Sequence, residues 1–200
     1  MRLRKTRAMG LRDAGRALLL AALSLLLAGC AVFGEREGRI EARTPVDLER
    51  WELQAALLAS GVHSARARLH WQQEPASFDI TFAGPFGIAA TRLRGDLEQV
   101  EIERGKRFWT SRDPARDLAM YTGVPVNLGD LQTWVLGLPR PGLRSVPPRH
   151  WESGPWIVEV LEQQVVGDYL LPRSLELRSE LQTLLLRDMR WQLPGAADAG

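Results

Sequence analysis

In Ala65-Arg66-Ala67-Arg68-Leu69-His70-Trp71 every second side chain is apolar and its neighbours are Arg or His, and Phe78-Asp79-Ile80-Thr81-Phe82 repeats the pattern with Asp and Thr between. Side chains of an extended strand point alternately to opposite faces, so this spacing puts one face in a core and the other in water. Trp51, Leu53, Ala55 and Leu57 alternate in the same way before it. Thr91-Arg92-Leu93-Arg94-Gly95 and then Val100 and Ile102, set among Gln99, Glu101 and Glu103, continue the pattern after it. Gly84-Pro85-Phe86-Gly87 interrupts between two of these runs and reads as a turn between neighbouring strands. A further hairpin turns at Arg104-Gly105 and leads to Phe108.

Beyond this block the period lengthens. Asp113-Pro114 has the chemistry of an N-cap and first helical position, Leu118 and Tyr121 follow on one face, and Gly123 stops a short helix. A second helix is expected from about Leu128, with Asp130 in its first turn, Leu131, Trp134, Val135 and Leu138 at three- and four-residue spacing, and an end at Gly137 to Pro139. Residues Pro139 to His150 hold four prolines and no periodicity, which predicts a loop. Alternation returns in Trp156, Val158 and Val160, in Leu175 and Leu177, and in Leu184 to Trp191, with Pro172 expected at a strand edge or start. The fold class is therefore mainly β with a few short helices: a many-stranded antiparallel sheet, curled so that helices fill or cap its concave side.

The first thirty residues are of a different kind. Arg2, Arg4, Lys5, Arg7, Arg12 and Arg16 precede an apolar run from Ala17 to Ala28, too short to cross a bilayer comfortably, and Leu27-Ala28-Gly29 stands directly before Cys30. This is a secretory signal, and Leu-Ala-Gly-Cys resembles the bacterial lipobox, in which the cysteine thiol is diacylated, the signal removed and the new amino terminus acylated. Residues 1–29 are thus expected to be a lipoprotein signal peptide, 30–48 an acylated anchor (palmitate or a similar chain on Cys30) with a polar, flexible tether, 49–193 one domain, and 194–200 a flexible tail. A short helix at Val46 to Arg50 is possible within the tether. The whole chain has a formal charge of +2, but residues 1–29 carry six of its 26 Lys and Arg and one of its 24 Asp and Glu, leaving −3 beyond them. That balance gives no run of like charge for nucleic acid or for a polybasic membrane contact. The only cysteine is Cys30, so no thiol is left for a disulfide, a metal or a nucleophile.

The order of elements resembles the family of the outer-membrane lipoprotein receptor LolB. The resemblance rests on Trp51-Glu52-Leu53, Trp71-Gln72-Gln73, Gly84-Pro85-Phe86-Gly87, Gly123-Val124-Pro125-Val126 and Leu131-Gln132-Thr133-Trp134-Val135-Leu136-Gly137-Leu138-Pro139, joined to the lipobox. It runs from about Trp51 to Trp191, more loosely from Leu143 to Gly167. The family's turn has Leu between Pro and Gly where this chain has Phe86, which keeps the apolar character and adds bulk. The resemblance implies an incomplete antiparallel barrel around a hydrophobic cavity, covered by helices. It would accept a triacylated lipoprotein from the periplasmic carrier LolA and release it into the inner leaflet of the outer membrane. Ala31, not Asp, follows the acylated cysteine, which in such systems accords with export to the outer membrane. Partners would then be LolA, acylated cargo and outer-membrane phospholipid, with no nucleic acid, a monomeric state, and a lipid-anchored location on the periplasmic face.

Physical chemistry points the same way. Each methylene exposed to water costs about 0.8 kcal/mol, so one long acyl chain costs on the order of 10 kcal/mol and cannot cross the periplasm unshielded. No phosphate-binding Gly-x-x-x-x-Gly-Lys-Ser/Thr loop occurs, so direction must come from rising affinity along the route. No Gly-x-Ser-x-Gly elbow or His-Glu-x-x-His motif occurs, and no enzyme, cofactor, metal or catalytic residue is expected. His70 alternates outward, while His63 and His150 lie in predicted turns. Candidate cavity-lining residues are Trp51, Leu53, Leu69, Trp71, Phe78, Ile80, Phe82, Trp134, Trp156 and Val158; for each tryptophan ordinary core packing is the competing reading. Trp134 on the second helix either plugs the barrel mouth or simply docks the helix. Arg66, Arg68, Arg92 and Arg94 are expected on the outer face. Pro85, Phe86 and Gly87 form a candidate membrane-insertion loop. The alternative is a periplasmic lipid-binding or envelope-assembly scaffold lipoprotein.

Overall fold

The computed structural model describes residues 42–62, 64–84, 90–116, 126–141 and 148–194. Cys30, the signal segment, His63, Pro85, Phe86, Gly87, and the continuation of the first expected helix lie outside the described residues. One ten-stranded sheet dominates, in the order β6-β5-β4-β3-β2-β1-β10-β9-β8-β7. Its strands are β1 (Trp51–Gly61), β2 (Ala65–Glu74), β3 (Ser77–Ala83), β4 (Thr91–Gly95), β5 (Val100–Arg104), β6 (Arg107–Ser111), β7 (His150–Ser153), β8 (Trp156–Val166), β9 (Tyr169–Arg178) and β10 (Gln182–Gln192). Every neighbouring pair is antiparallel. The sheet does not close: β6 and β7 are its outer strands.

A single parity rule holds the inner face. Leu53 lies opposite Trp71, Trp71 opposite Ile80, Ile80 opposite Leu93, and Leu93 opposite Ile102. All five are buried. The intervening Gln72, Arg92, Arg94, Glu101 and Glu103 face water. In β10 the parity would fail, since Leu184 and Leu186 are buried but so are Met189 and Trp191. A bulge at Asp188, whose φ of 53° is left-handed, inserts the extra residue that restores all four to the inner face.

The short helix α1 (Leu128–Val135) starts as its sequence dictates. Asn127 caps it, the side-chain oxygen accepting from the amides of Gly129 at 2.8 Å and Asp130 at 3.3 Å. Leu128, Trp134 and Val135 are buried beneath it, and the chain leaves through Gly137 at φ 78°. Leu97, in the β4–β5 turn, packs beside Gly129, while Pro172 of β9 and Val160 of β8 pack beside Gly137. Eight helical residues span about 12 Å. Laid flat, β4 and β9 would be about 24 Å apart. The sheet therefore curls around the helix, and the inner face is concave.

Several expectations are corrected. His150, expected to end a loop, instead begins β7 and is not in a turn. Pro172 sits inside β9, not at its start; pairing of β9 with β10 stops at Leu175, so the missing amide of Pro172 interrupts no ladder on that side. Val46 to Arg50 form a turn and not a helix. Asp113 does cap a helical turn at 114–116, its carboxylate accepting from the Arg116 amide at 3.0 Å. Within the segment expected as tether, Arg43 bridges to Tyr169, Pro45 is buried and Leu48 packs on the core.

Candidate functional site

The concave face has two unlike ends. At one, the turns β2–β3, β4–β5 and β8–β9 surround α1, and the interior is filled. Trp51 packs against Trp71 with ring centroids 5.2 Å apart and against Trp191 at 5.4 Å, edge to face. Phe78 and Ile80 are buried in the same cluster, and Trp134 closes it from the helix side. Here the core-packing reading of the tryptophans is the one the structure adopts. The indole of Trp71 donates to Gln73 Oε1 at 3.1 Å and that of Trp191 to the Pro172 carbonyl at 2.8 Å, so these donors are satisfied within the wall.

Toward the other end the inner wall thins. Leu57, Ala59, Phe82 and Trp109 are only partly buried, and Ala67 shares that state. Leu57, Ala59, Ala67 and Phe82 lie near one another through the pairing of Leu57 with Ala67, Ala59 with Ala65 and Leu184, and Leu69 with Phe82, whereas Trp109 lies opposite Ile102 on the outer strand β6. From Leu184 the apolar row continues through Leu177 and Val158 to Trp151. Trp156 and Val158 are buried at this side of the sheet. The wall is thus continuous and uncharged from β3 round to β7. Its small side chains at Ala59, Ala65 and Ala67 leave room where the α1 end has indoles.

Of the residues expected to line a cavity, Phe82 is partly buried on this thinner stretch, Leu69, Trp156 and Val158 are buried, and Trp51, Leu53, Trp71, Phe78, Ile80 and Trp134 lie in the packed end. Partly buried inward residues outside that expected set are Leu57, Ala59 and Ala67. The signal was present as alanines at inward parity on adjacent strands, which alternation alone scores as weak core. Grooves at the α1 end differ in chemistry: one of about 420 Å³ is bounded by Leu48, Leu97 and Leu136 but rimmed by Glu49, Glu74 and Asp130.

The convex face carries the ionic groups. Asp79 accepts from Arg92 Nε at 2.8 Å and from Arg94 Nε at 3.1 Å, and the Arg92 bonds hold its carboxyl below the usual range. His70 Nε2 lies 2.9 Å from Glu52 Oε1, which lowers that carboxyl too. His70, Arg66, Arg68, Arg92 and Arg94 therefore point away from the apolar wall, as their parity predicted.

Comparison with known proteins agrees with this architecture. Residues 49–191 match the family described as Outer membrane lipoprotein LolB. A relative named outer-membrane lipoprotein LolB from Stutzerimonas stutzeri is 32% identical over 196 residues, covering 88% of this chain and 94% of its own. One of the same name from Halorhodospira halophila is 31% identical over 177 residues, covering 80% and 87%. With a match across nearly the whole curled sheet, its inner wall and its plugging helix, this chain belongs to the LolB family of outer-membrane lipoproteins.

Proposed function

We propose that the chain, anchored to the periplasmic face of the outer membrane through acylated Cys30, takes triacylated lipoproteins from the carrier LolA and inserts them into the inner leaflet. The observation that carries this reading is the concave wall, apolar from Phe82 across Leu57 and Ala59 to Val158, filled at the α1 end and more thinly covered at Leu57, Ala59, Ala67 and Phe82. Such a wall shields chains whose exposure would cost on the order of 10 kcal/mol each, yet from β3 to β7 its described residues offer no charged group to hold them once a bilayer is reached. No covalent bond changes; the family is one of lipoprotein localisation, and non-enzymatic transfer down a gradient of affinity fits it. Phospholipid contact is assigned to the connection from Gly84 to Ala90, whose sequence includes the apolar Phe86, and the working unit is a monomer.

A photo-crosslinking amino acid at Phe82 tests the wall. With LolA carrying a triacylated lipoprotein, the cargo should crosslink at residue 82 and not at Arg68, one strand away on the convex face. A Cys30→Ala form behind a cleavable signal should still take cargo in solution. Crosslinks at neither position, or at both alike, would overturn the reading.

A further inference from the structure

Chain topology sorts the turns of the domain by charge and polarity in a way the linear sequence does not display. The α1 end gathers Glu74, Asp96, Glu98 and Asp168 in or beside its three hairpin turns, with Asp47, Glu49 and Asp130 nearby. Of the arginines there, Arg43 pairs with Asp47 at 2.8 Å and Arg50 with Glu74 at 2.9 Å; Arg112 follows β6. The opposite end carries Arg104, Lys106 and Arg107 around the β5–β6 turn, all exposed, with Glu103, Glu152 and Glu180 as its acidic residues.

That basic end also holds the most exposed large apolar side chains among the described residues, Phe108 at the start of β6 included. Val62, after β1, is 65% exposed and Leu181, before β10, 69%. They are not scattered: the Val62 amide donates to the Leu181 carbonyl at 3.1 Å, tying two hairpin tips together. Gly61, at φ 125°, makes the approach possible, because a Cβ there would collide with the Leu181 carbonyl oxygen. Exposed apolar groups held on adjoining turns, at the same end of the sheet as the cations of the β5–β6 turn and opposite an acidic end, fit an anionic phospholipid surface.

We propose that Val62 and Leu181, with Lys106 and Arg107, form a bilayer-contact rim that turns the thin end of the acyl-binding wall toward anionic phospholipid. This deepens, and rests on, the reading that the chain works at a membrane. The anchor permits the pose with little slack. Twelve peptide units separate Cys30 from Ala42, a reach of at most about 40 Å. The chain enters the domain at the acidic end, where Arg43 lies beside Tyr169. The eleven residues of β1 cover about 36 Å between the two ends.

The test uses the acylated full-length protein in vesicles of phosphatidylethanolamine and phosphatidylglycerol. Since the Cys30 thiol is acylated, an environment-sensitive fluorophore attaches only at an introduced cysteine: V62C, L181C, or A76C in the acidic-end turn. Emission from positions 62 and 181 should shift to the blue and be quenched by lipid-borne spin labels, while position 76 stays aqueous. Deleting six residues between Ala31 and Glu41 should return position 62 to water. The V62E/L181E pair should slow cargo delivery about tenfold, and K106E or R107E about fivefold at low salt, less at high salt. If positions 62 and 181 stay aqueous while delivery of a triacylated lipopeptide proceeds, the rim proposal fails and the functional reading stands. A shift only when LolA is added makes this end a carrier site and overturns the proposal. If the unmodified protein delivers no lipopeptide, the functional reading itself fails.

Discussion

Gln73 on β2 and Gln132 on α1 share a side-chain hydrogen bond of 3.1 Å between residues 59 apart in sequence. The same Gln73 oxygen accepts from the Trp71 indole, and its amide nitrogen donates to the Glu74 carbonyl at 2.7 Å and the Ser77 carbonyl at 3.2 Å. A polar residue at an inward position is thereby accounted for: it satisfies a buried indole, closes the β2–β3 turn and fastens the plugging helix. Gln73→Leu should cost about 1–3 kcal/mol, because Trp71 keeps a buried donor with no acceptor. Thermal melts of Q73L, W71F and the double variant check this. The double variant should lose less than the sum of the single losses, and strict additivity would refute the coupling.

The parity of β2 and β3 gives a second expectation. Leu69 and Ile80 are buried on the concave face, whereas Arg68 is exposed on the convex one. Leu69→Asp or Ile80→Asp should destabilise by several kcal/mol and abolish cargo uptake, since an unpaired carboxylate on an apolar wall must be desolvated or neutralised. Arg68→Asp should change the melting temperature by little. Similar melts for L69D and R68D would mean that the strand faces are misassigned.

Asp79 sets part of the acid response. Its carboxyl is held below the ordinary value chiefly by the Arg92 hydrogen bonds, then by Arg94. A group with a depressed folded pKa binds its proton more readily when unfolded, so its contribution is complete above the unfolded value of about 3.9. That contribution disappears as pH falls from there through the lower folded value. Asp79→Asn should therefore reduce stability at pH 7 by about 1–2 kcal/mol. It should also flatten the loss of stability between about pH 4 and 2. Parallel acid limbs for the two proteins would exclude Asp79 as a source of that loss.

How much of this was legible beforehand follows from the physics of each element. Strands β1 to β5 are local hairpins with one wet face, so Leu69, Trp71 and Ile80 could be placed from alternation alone, and Asn127 and Gly137 bracket a helix whose apolar spacing is plain. β7 hid because four residues with only Trp151 apolar among them carry too little period to stand out beside a proline-rich loop. In β10 the alternation breaks at Asp188, and a bulge has no signature in hydropathy. Which inward residues are packed and which line the thin wall depends on where α1 lands, a tertiary fact set by Gln73, Leu97 and Pro172. The basic rim was invisible for a related reason: Arg104, Lys106 and Arg107 come to the same end of the sheet as Val62 and Leu181 only once the hairpins are assembled.

The connection between β3 and β4 leaves the sheet at the basic end, beside Val62. Phe86, within it, is the residue assigned to lipid contact. Phe86→Glu should leave folding and uptake from LolA intact, because the substitution falls in the connection between β3 and β4 and outside the ten strands. Delivery into liposomes should slow, so that cargo-loaded receptor accumulates, while Phe86→Leu behaves as the parent. Normal delivery by F86E, or a melting temperature lowered as far as by L69D, would return the ring to ordinary packing.

The alanines of the thin wall make the sharpest separation of binding from stability. Ala67 faces inward, is only partly buried, and lies opposite Leu57. In a filled core an added ring forces its neighbours off their rotamers and costs about 1–3 kcal/mol. In a wall that must admit acyl chains the ring instead occupies the space the ligand uses and buries further apolar area, so the free protein should be no less stable. Ala67→Phe is therefore expected to keep or raise the melting temperature while cargo uptake from LolA falls by at least about tenfold, one ring displacing a few methylenes at about 0.8 kcal/mol each. Ala55→Phe, at a fully buried inward position of β1, should destabilise instead. If A67F melts early and A55F does not, the filled and open parts of the wall have been exchanged; if A67F is stable and accepts cargo normally, the chains bind elsewhere.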